Sequence, residues 1–255
     1  MKDFSDILIC SDFDGTLFNG KKQCISDTDA EAIRYFQDHG GAFTLCTGRF
    51  PSVLKDKNVT TVTLNAPMIC MNGALIYDLK NEKKLFEEIM SADVTEAIFK
   101  ICEKHEHIEK IFLPKHNNIS ETNYCSSYET DQIKDFIEQG VYKIVFHIVP
   151  EHCDEALERM IALTPEKFAL SRSWKTGIEI QQATASKGLS ARKVANMLGR
   201  KTLICVGDYE NDISMIEEAD IGFAVANACD SLKKVADRIT TEKVGGAIAE
   251  IIYSL

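Results

Sequence analysis

The sequence predicts an α/β protein: a Rossmann-like parallel-sheet core built from both ends of the chain, with a second α/β domain inserted between them. Three observations point there. Apolar runs at 7–10, 42–46 and 202–206 each end at a turn, as buried parallel strands do. Capped, helix-length segments alternate with those runs near both ends of the chain. The middle of the chain carries strands and helices of its own, so residues 1–79 and 184–255 are expected to form the core and 80–183 the insert.

The first element is ILIC (7–10), followed by Asp12, Phe13, Asp14, Gly15 and Thr16. Side chains two apart on an extended chain point the same way. A strand that persists through its end therefore brings the Asp12 and Asp14 carboxylates to one volume. Two like charges about 4 Å apart repel by roughly 4 kcal/mol at a near-surface dielectric. The pair needs a cation, a shared proton or open water. Ser26 can cap a helix that reaches His39 and closes at Gly40 and Gly41. AFTLC (42–46) then ends in Thr47, Gly48 and Arg49. A third run, Pro67 to Met71, meets Asn72 and Gly73 and continues as ALIYD, a two-residue hairpin signal.

The insert opens on the charged NEKKLFEEI. A helix follows, with Val94, Ile98, Ile101 and His105 on one face behind a cap at Ser91. IFL (111–113) reads as a strand. A polar stretch at 115–130 precedes a short helical segment, QIKDFIEQ. YKIVFHIV (142–149) is the clearest strand of the insert. A Pro-initiated helix runs from Glu151 to about Leu163, and FALSRSW and GIEI add two strands. The opening rhythm then returns. SKGLSARKVANMLG is a helix with Ala191, Ala195 and Leu198 on one face, and TLICVGD (202–208) echoes the first strand by delivering an aspartate to a turn. IGFAVA and a helix from Gly246 to Tyr253 finish the chain.

Composition excludes several classes. With 255 residues, 45% of them hydrophobic and 27% charged, the chain is of ordinary globular make-up. Its formal charge of −10 argues against nonspecific binding to nucleic acid or to an anionic membrane. No run approaches the roughly 18 apolar residues of a membrane-spanning helix, and the N-terminus lacks a signal peptide's pattern. The nine cysteines form no CxxC pair, and Cys10, Cys46, Cys70 and Cys205 lie in or beside apolar runs as small buried hydrophobes. These features predict a reduced, cytoplasmic protein. Met90, Met160, Met197 and Met215 are expected in the core, and His105 and His107 form no metal pattern.

Four pieces fall at strand ends or a helix start, the edge at which ligands gather in open α/β sheets. They are Asp12 with Asp14, Thr47 with Gly48, Lys187, and GDYENDISM with Asp208, Asn211 and Asp212. Together they offer carboxylates for a hard cation, a hydroxyl and backbone N–H groups for an anion, and an ammonium. Mg²⁺ prefers a few carboxylates, waters and phosphate oxygens. A phosphate dianion could not approach the two aspartates without such neutralisation, so a metal and a phosphate would explain why the pair is tolerated.

DFDGT, the threonine of TGR, the lysine of SKG and GDYENDISM, in that order, resemble the four motifs of the haloacid dehalogenase (HAD) superfamily. The insert between the second and third motifs, NGALIYD, and the GDxxND form resemble its Cof-type phosphatases (class IIB). The resemblance implies Mg²⁺-dependent hydrolysis of phosphate monoesters of small metabolites, with sugar phosphates among them, through an aspartyl-phosphate. In that scheme Asp12 is the nucleophile and Asp14 the general acid and base. The metal sits on the Asp12 carboxylate, the Asp14 backbone carbonyl and Asp208. Phe13 through its backbone N–H, Thr47, Gly48, Lys187 and Asn211 hold the phosphoryl group, and Asp212 orients Lys187 or a metal-bound water. Phe13 stands where Leu or Val is commoner, with little effect expected because only its backbone is used.

Each residue also has a plainer reading. Asp12 and Asp14 can be a turn or cap, Thr47 an ordinary strand-end hydroxyl, and Lys187 a surface lysine, although a helix start is a poor place for a cation. Asp208 and Asn211 can cap a strand-to-helix turn. Asn72 and Gly73 are first a hairpin and second a substrate contact, and Arg49 pairs with a surface carboxylate or reaches substrate. In the insert, His116, Asn117, Glu121, Arg172 and Trp174 are candidates for the leaving group, with solvated surface the simpler reading for most and packing for Trp174. The competing functions are a phosphomutase, a dedicated sugar-phosphate phosphatase, and a non-catalytic sensor of a phosphorylated ligand.

Overall fold

A computed structural model describes residues 2–52, 61–103, 108–112, 138 and 140–255. Contacts within the chain divide it into two compact units, one formed by Met1–Phe86 with Ser186–Leu255 and the other by Glu87–Ala185.

The first unit is built on a parallel sheet. Its strands are β1 (Ile7–Ser11), β4 (Ala42–Leu45), β12 (Thr202–Gly207), β13 (Ile221–Ala224) and β14 (Arg238–Ile239), in the spatial order β14-β13-β12-β1-β4. Leu8, Ile9, Cys10, Leu203, Ile204, Cys205 and Val206 are all fully buried, as expected of strands covered on both faces. From β1 the chain crosses through helix α1 (Asp27–Asp38) to β4 on one side. It later returns through α4 (Lys187–Met197) to β12 on the other side. The carboxyl ends of β1 and β12 therefore bracket the point at which the strand order reverses, where a crevice opens.

Local signals explain most elements. Ser26 caps α1 by accepting the Asp29 N–H, and Ser186 caps α4 by accepting the Leu189 N–H. Asp29 is buried and joins the chain's two ends, since its carboxylate accepts from Ser26 Oγ and from the Ala249 N–H of the last helix, α7 (Ala247–Ser254). The hairpin of β5 (Met68–Cys70) and β6 (Leu75–Asp78) is present, but its turn is not the two-residue one expected. Cys70 pairs with Leu75, so Met71 to Ala74 form the turn, with Met71 and Asn72 at φ of 52° and 53°. Backbone ties account for this shape: the Met71 N–H donates to Arg49 O and the Asn72 N–H to Thr47 O. The charged KKLFE, with no predicted element, extends the hairpin as β7 (Lys83–Glu87). A small ribbon of β2 (Phe18–Asn19) and β3 (Cys24–Ile25), also without a sequence signal, follows the first aspartates.

The second unit is an antiparallel sheet in the order β10-β11-β9-β8, from β8 (Ile108–Phe112), β9 (Ile144–Ile148), β10 (Phe168–Trp174) and β11 (Gly177–Gln182). Helices α2 (Ala92–Glu103) and α3 (Cys153–Leu163) share its core with Ile144, Phe146, Ile178 and Ile180. Between those isoleucines Glu179 points to the opposite face, where it accepts from Lys143 Nζ at 2.8 Å and from Ser173 Oγ at 2.8 Å. The polar stretch 115–130, most of QIKDFIEQ, and His105, His107, His116, Asn117 and Glu121 lie outside the described residues. Met90, Met160 and Met215 are buried as expected. Met197 is not: it is 53% exposed, because the buried side of α4 is made by Lys187, Ser190, Ala191, Val194 and Ala195.

Helix α4 also packs unusually closely on α5 (Ile213–Glu218). A Cβ added to Gly188 would lie 2.0 Å from the backbone oxygen of Ser214. Gly188→Ala is thus expected to destabilise the protein by about 3 kcal/mol, read from its urea midpoint, because backbone cannot move aside as a side chain can. A change within about 0.5 kcal/mol of zero, the range of an ordinary surface substitution, would contradict this packing.

Candidate active site

The site is assembled by loops that leave the carboxyl ends of β1, β4 and β12 and by the first turn of α4. β1 ends at Ser11, and the Asp12 N–H donates to Val206 O at 2.8 Å, fixing Asp12 between the two central strands. Lys187 reaches the same spot from α4. Its side chain is fully buried, and Nζ donates to Asp12 Oδ1 at 2.7 Å and to Asp212 Oδ1 at 2.6 Å. Asp212 Oδ2 accepts the backbone N–H groups of Asp208 (2.9 Å) and Tyr209 (3.2 Å), so one carboxylate both shapes the turn after β12 and anchors the lysine. Two carboxylates thus offset the cost of a cation at a helix start.

Carboxylate oxygens of Asp12, Asp208 and Asp212 all lie within 4.8 Å of one another. At an effective dielectric near 20 each such pair repels by roughly 3 to 4 kcal/mol. The protonation equilibria respond accordingly. Burial, aided by Asp212 and Asp208 and opposed by Lys187, raises the Asp12 carboxyl well above its usual range. Burial and then Asp212 push Asp208 up to about 7, against the pull of Thr16 and Lys187. Burial works against the Lys187 ammonium, but Asp12 and Asp212 hold it charged. Three carboxylates facing one ammonium through oxygen donors alone fit a hard divalent cation. The bonds to Lys187 and Thr16 use Oδ1 of Asp12 and Oδ1 of Asp208, leaving their Oδ2 atoms outside those bonds.

Asp14 is held differently from Asp12, although its charge still reaches Asp208 and helps to raise it. The strand ends before Asp12 and the chain turns at Gly15, where φ is +86°. Asp14 consequently meets Arg49, whose Nε donates to Oδ2 at 2.7 Å and whose Nη2 donates to Oδ1 at 2.6 Å, with both side chains about half exposed. Phe13 is also more than a backbone position. Its ring is buried, stacks on Phe18 at 4.8 Å, and lies 5.6 Å beneath the Arg49 guanidinium. The ring supports the arginine that holds Asp14.

On the β4 side, Thr47 is buried, its Oγ1 accepts the Arg49 N–H at 3.2 Å, and Gly48 follows it in the loop. Asn72 is buried, and Asn211 Nδ2 donates to its Oδ1 at 3.4 Å. Gly73 O accepts from Ser190 Oγ of α4 at 2.7 Å. The structure therefore brings Asp12, Lys187, Asp208 and Asp212 into direct contact or close range, and ties Thr47, Asn72 and Asn211 together beside them. In the second unit Arg172 pairs with Asp154, and Trp174 donates from Nε1 to Thr176 while remaining partly exposed. Two residues in this region gain partners that no local pattern announces, although one of them is the threonine of DFDGT. Thr16 Oγ1 donates to Asp208 Oδ1 at 3.1 Å, and Asn227 Nδ2 donates to Gly15 O at 2.9 Å. Both act across about two hundred positions of chain, beyond any local pattern.

A model of the haloacid dehalogenase-like hydrolases matches residues 9–252. The chain belongs to that family. A 5-amino-6-(5-phospho-D-ribitylamino)uracil phosphatase of Bacillus subtilis is 27% identical over 248 residues, covering 96% of this chain and 94% of that protein. The pyridoxal phosphate phosphatase of Escherichia coli is 25% identical over 273 residues, covering 97% of each. Among solved structures, a HAD/COF-like hydrolase from Plasmodium vivax superposes with a TM-score of 0.83 at 22% identity, covering 98% of this chain and 95% of that one. The fold is therefore that of a HAD hydrolase with a cap domain, and this HAD-like chain is an enzyme. Among its described residues no helix is long and apolar enough to cross a membrane.

With burial and Asp212 pushing Asp208 up to about 7, protons would compete with a divalent cation for this cluster. Affinity for such a cation, probed with Mg²⁺, is expected to be about tenfold weaker at pH 6 than at pH 8, measured by calorimetric titration. Stability has the opposite sign in metal-free protein. With the folded value raised to about 7, the contribution of Asp208 is fully present below its unfolded value and is lost as the pH rises through 7. Affinity independent of pH across this window would contradict the assignment of Asp208 to the cation.

Proposed function

We propose that this HAD-like hydrolase is a Mg²⁺-dependent phosphatase of small phosphorylated metabolites, working through an aspartyl-phosphate on Asp12. The observation that carries the reading is the buried Lys187, which grips Asp12 through one oxygen and is itself held by Asp212. That grip orients the second Asp12 oxygen as a nucleophile and keeps a fixed positive charge beside the place where phosphoryl oxygens would lie. The two curated relatives described above are both named as phosphatases of small phosphorylated molecules, which agrees with this assignment.

In the first step Asp12 attacks phosphorus, the ester P–O bond breaks, and the leaving oxygen takes a proton from Asp14. In the second, Asp14 removes a proton from water, the water oxygen attacks phosphorus, and Asp12 is released with inorganic phosphate. Thr47, the backbone N–H groups of Phe13 and Gly48, Lys187 and Asn211 hold the phosphoryl oxygens, and Asp212 keeps Lys187 in place. Asp12, Asp208 and the Asp14 backbone carbonyl would hold a Mg²⁺, which would supply neutralisation of the phosphate charge. Arg49 presents Asp14 and must yield one of its oxygens before a proton can pass. The insert at 80–183 serves as the cap that selects the leaving group, with Arg49, Asn72 and Gly73 as further candidates for substrate contact.

Phosphate release from a panel of phosphorylated sugars, nucleotides and cofactors, with and without EDTA, tests this reading. Hydrolysis is expected to require the metal and to fall about 10⁴-fold or more in Asp12→Asn, as for loss of other catalytic nucleophiles. Undiminished turnover in that variant would remove Asp12 from the chemistry.

A further inference from the structure

A cleft of about 620 Å³ adjoins the site at Asp14 and Gly15, lined also by Asn19, Gly20, Lys21, Asn227, Lys243 and Val244. It lies wholly within the first unit. Two of its walls are basic, in a protein whose net charge is −10. Lys21 stands on the turn of the β2–β3 ribbon, which Asn19 Oδ1 shapes by accepting the Lys21 and Lys22 N–H groups. Lys243 stands on the loop before α7.

That loop is wired to the nucleophile loop through one side chain. Asn227 Nδ2 donates to Gly15 O at 2.9 Å, and Asn227 Oδ1 accepts the Val244 N–H at 2.8 Å. Glu250 closes the loop's base by accepting the Thr241 and Glu242 N–H groups. The backbone at Lys243 is therefore held at a set place relative to Asp14 and Gly15. Electrostatics then decide what the cleft favours. Among the described residues its only lining carboxylate is Asp14, and both oxygens of Asp14 are taken by Arg49. Among the described residues no carboxylate pairs with Lys21 or Lys243. Two uncompensated ammonium groups flank a space large enough for a metabolite fragment, and they draw an anion.

We infer that this cleft is a subsite for a second anionic group, a carboxylate or another phosphate, on the leaving-group side of the phosphorylated substrate. The inference rests on the phosphatase reading above. The leaving oxygen has to lie against Asp14 to receive its proton, so the rest of the leaving group starts where the cleft starts. A carboxylate or phosphate there gains charge-assisted hydrogen bonds from Lys21 and Lys243, which a neutral hydroxymethyl group does not.

The test compares 3-phosphoglycerate with glycerol 3-phosphate, which differ only in a carboxylate against a hydroxymethyl group. The enzyme is expected to favour the carboxylated ester in kcat/KM by about tenfold, the ratio equivalent to ~1.4 kcal/mol from two partly exposed charge contacts. In Lys21→Gln/Lys243→Gln the ratio should fall toward one, the loss falling on the carboxylated ester, while Lys21→Arg/Lys243→Arg retains it. Equal use of the two esters by the wild type, or an unchanged ratio in the glutamine variant, overturns the inference. Calorimetric binding of the same two esters to the Mg²⁺-loaded Asp12→Asn protein reads the cleft without turnover. Absence of all hydrolysis would then count against the phosphatase reading, while the affinity ratio still decides the subsite.

Discussion

One buried ammonium organises this molecule. Lys187 lies in the protein interior with two carboxylates on its nitrogen, and an unpaired charge there would cost several kcal/mol. Each neighbour is fixed by that need. Asp12 is pinned at the end of β1 by its own N–H, Asp212 is pinned by the turn it caps, and α4 must press against α5 closely enough that only glycine fits at 188. The same contacts that make the lysine tolerable bring three carboxylates together. The core strands therefore end in a cluster of carboxylates whose charge a proton or a cation would offset.

That imbalance is useful chemistry. A site with three carboxylates around one ammonium could hold a hard cation and, with it, a phosphate dianion that bare aspartates would repel. Asp14 is surrounded differently from the cluster: the backbone turns at Gly15 immediately after it, and Arg49, resting on the Phe13 ring, holds it at the edge of solvent. Asp12 is thus buried, while Asp14 is about half exposed. Two aspartates two residues apart acquire different environments, as their two proposed roles require.

Much of this was legible in the sequence because the relevant signals are local. Apolar runs that end in aspartate, the serine cap at 26, and the order DFDGT, TGR, SKG, GDYEND foretell the parallel strands, the first helix and the meeting of Asp12, Lys187 and Asp208. What escaped depends on partners distant in the chain or on geometry between periods. Asn227 looks like an ordinary polar residue, and Thr16 of DFDGT gives no hint of its partner, until the fold sets them on Gly15 and Asp208. The KKLFE strand carries too much charge to resemble one, being a partly exposed extension of a hairpin. Met197 sits one step off the buried stripe of its helix, a difference that composition cannot register. The side chain of Phe13 was discounted because the family motif uses only its backbone, whereas here its ring carries Arg49.

The most direct measurement is rapid-quench mass spectrometry of the enzyme mixed with Mg²⁺ and a turned-over phosphate ester, followed by digestion and sequencing of the fragment spanning residues 7–20. The expected result is one phosphoryl group on Asp12 within the first turnover, absent from the Asp12→Asn protein. Steady hydrolysis with no phosphoryl group on that fragment, or with one attached to a different residue, would contradict the role given to Asp12 and to the lysine that holds it.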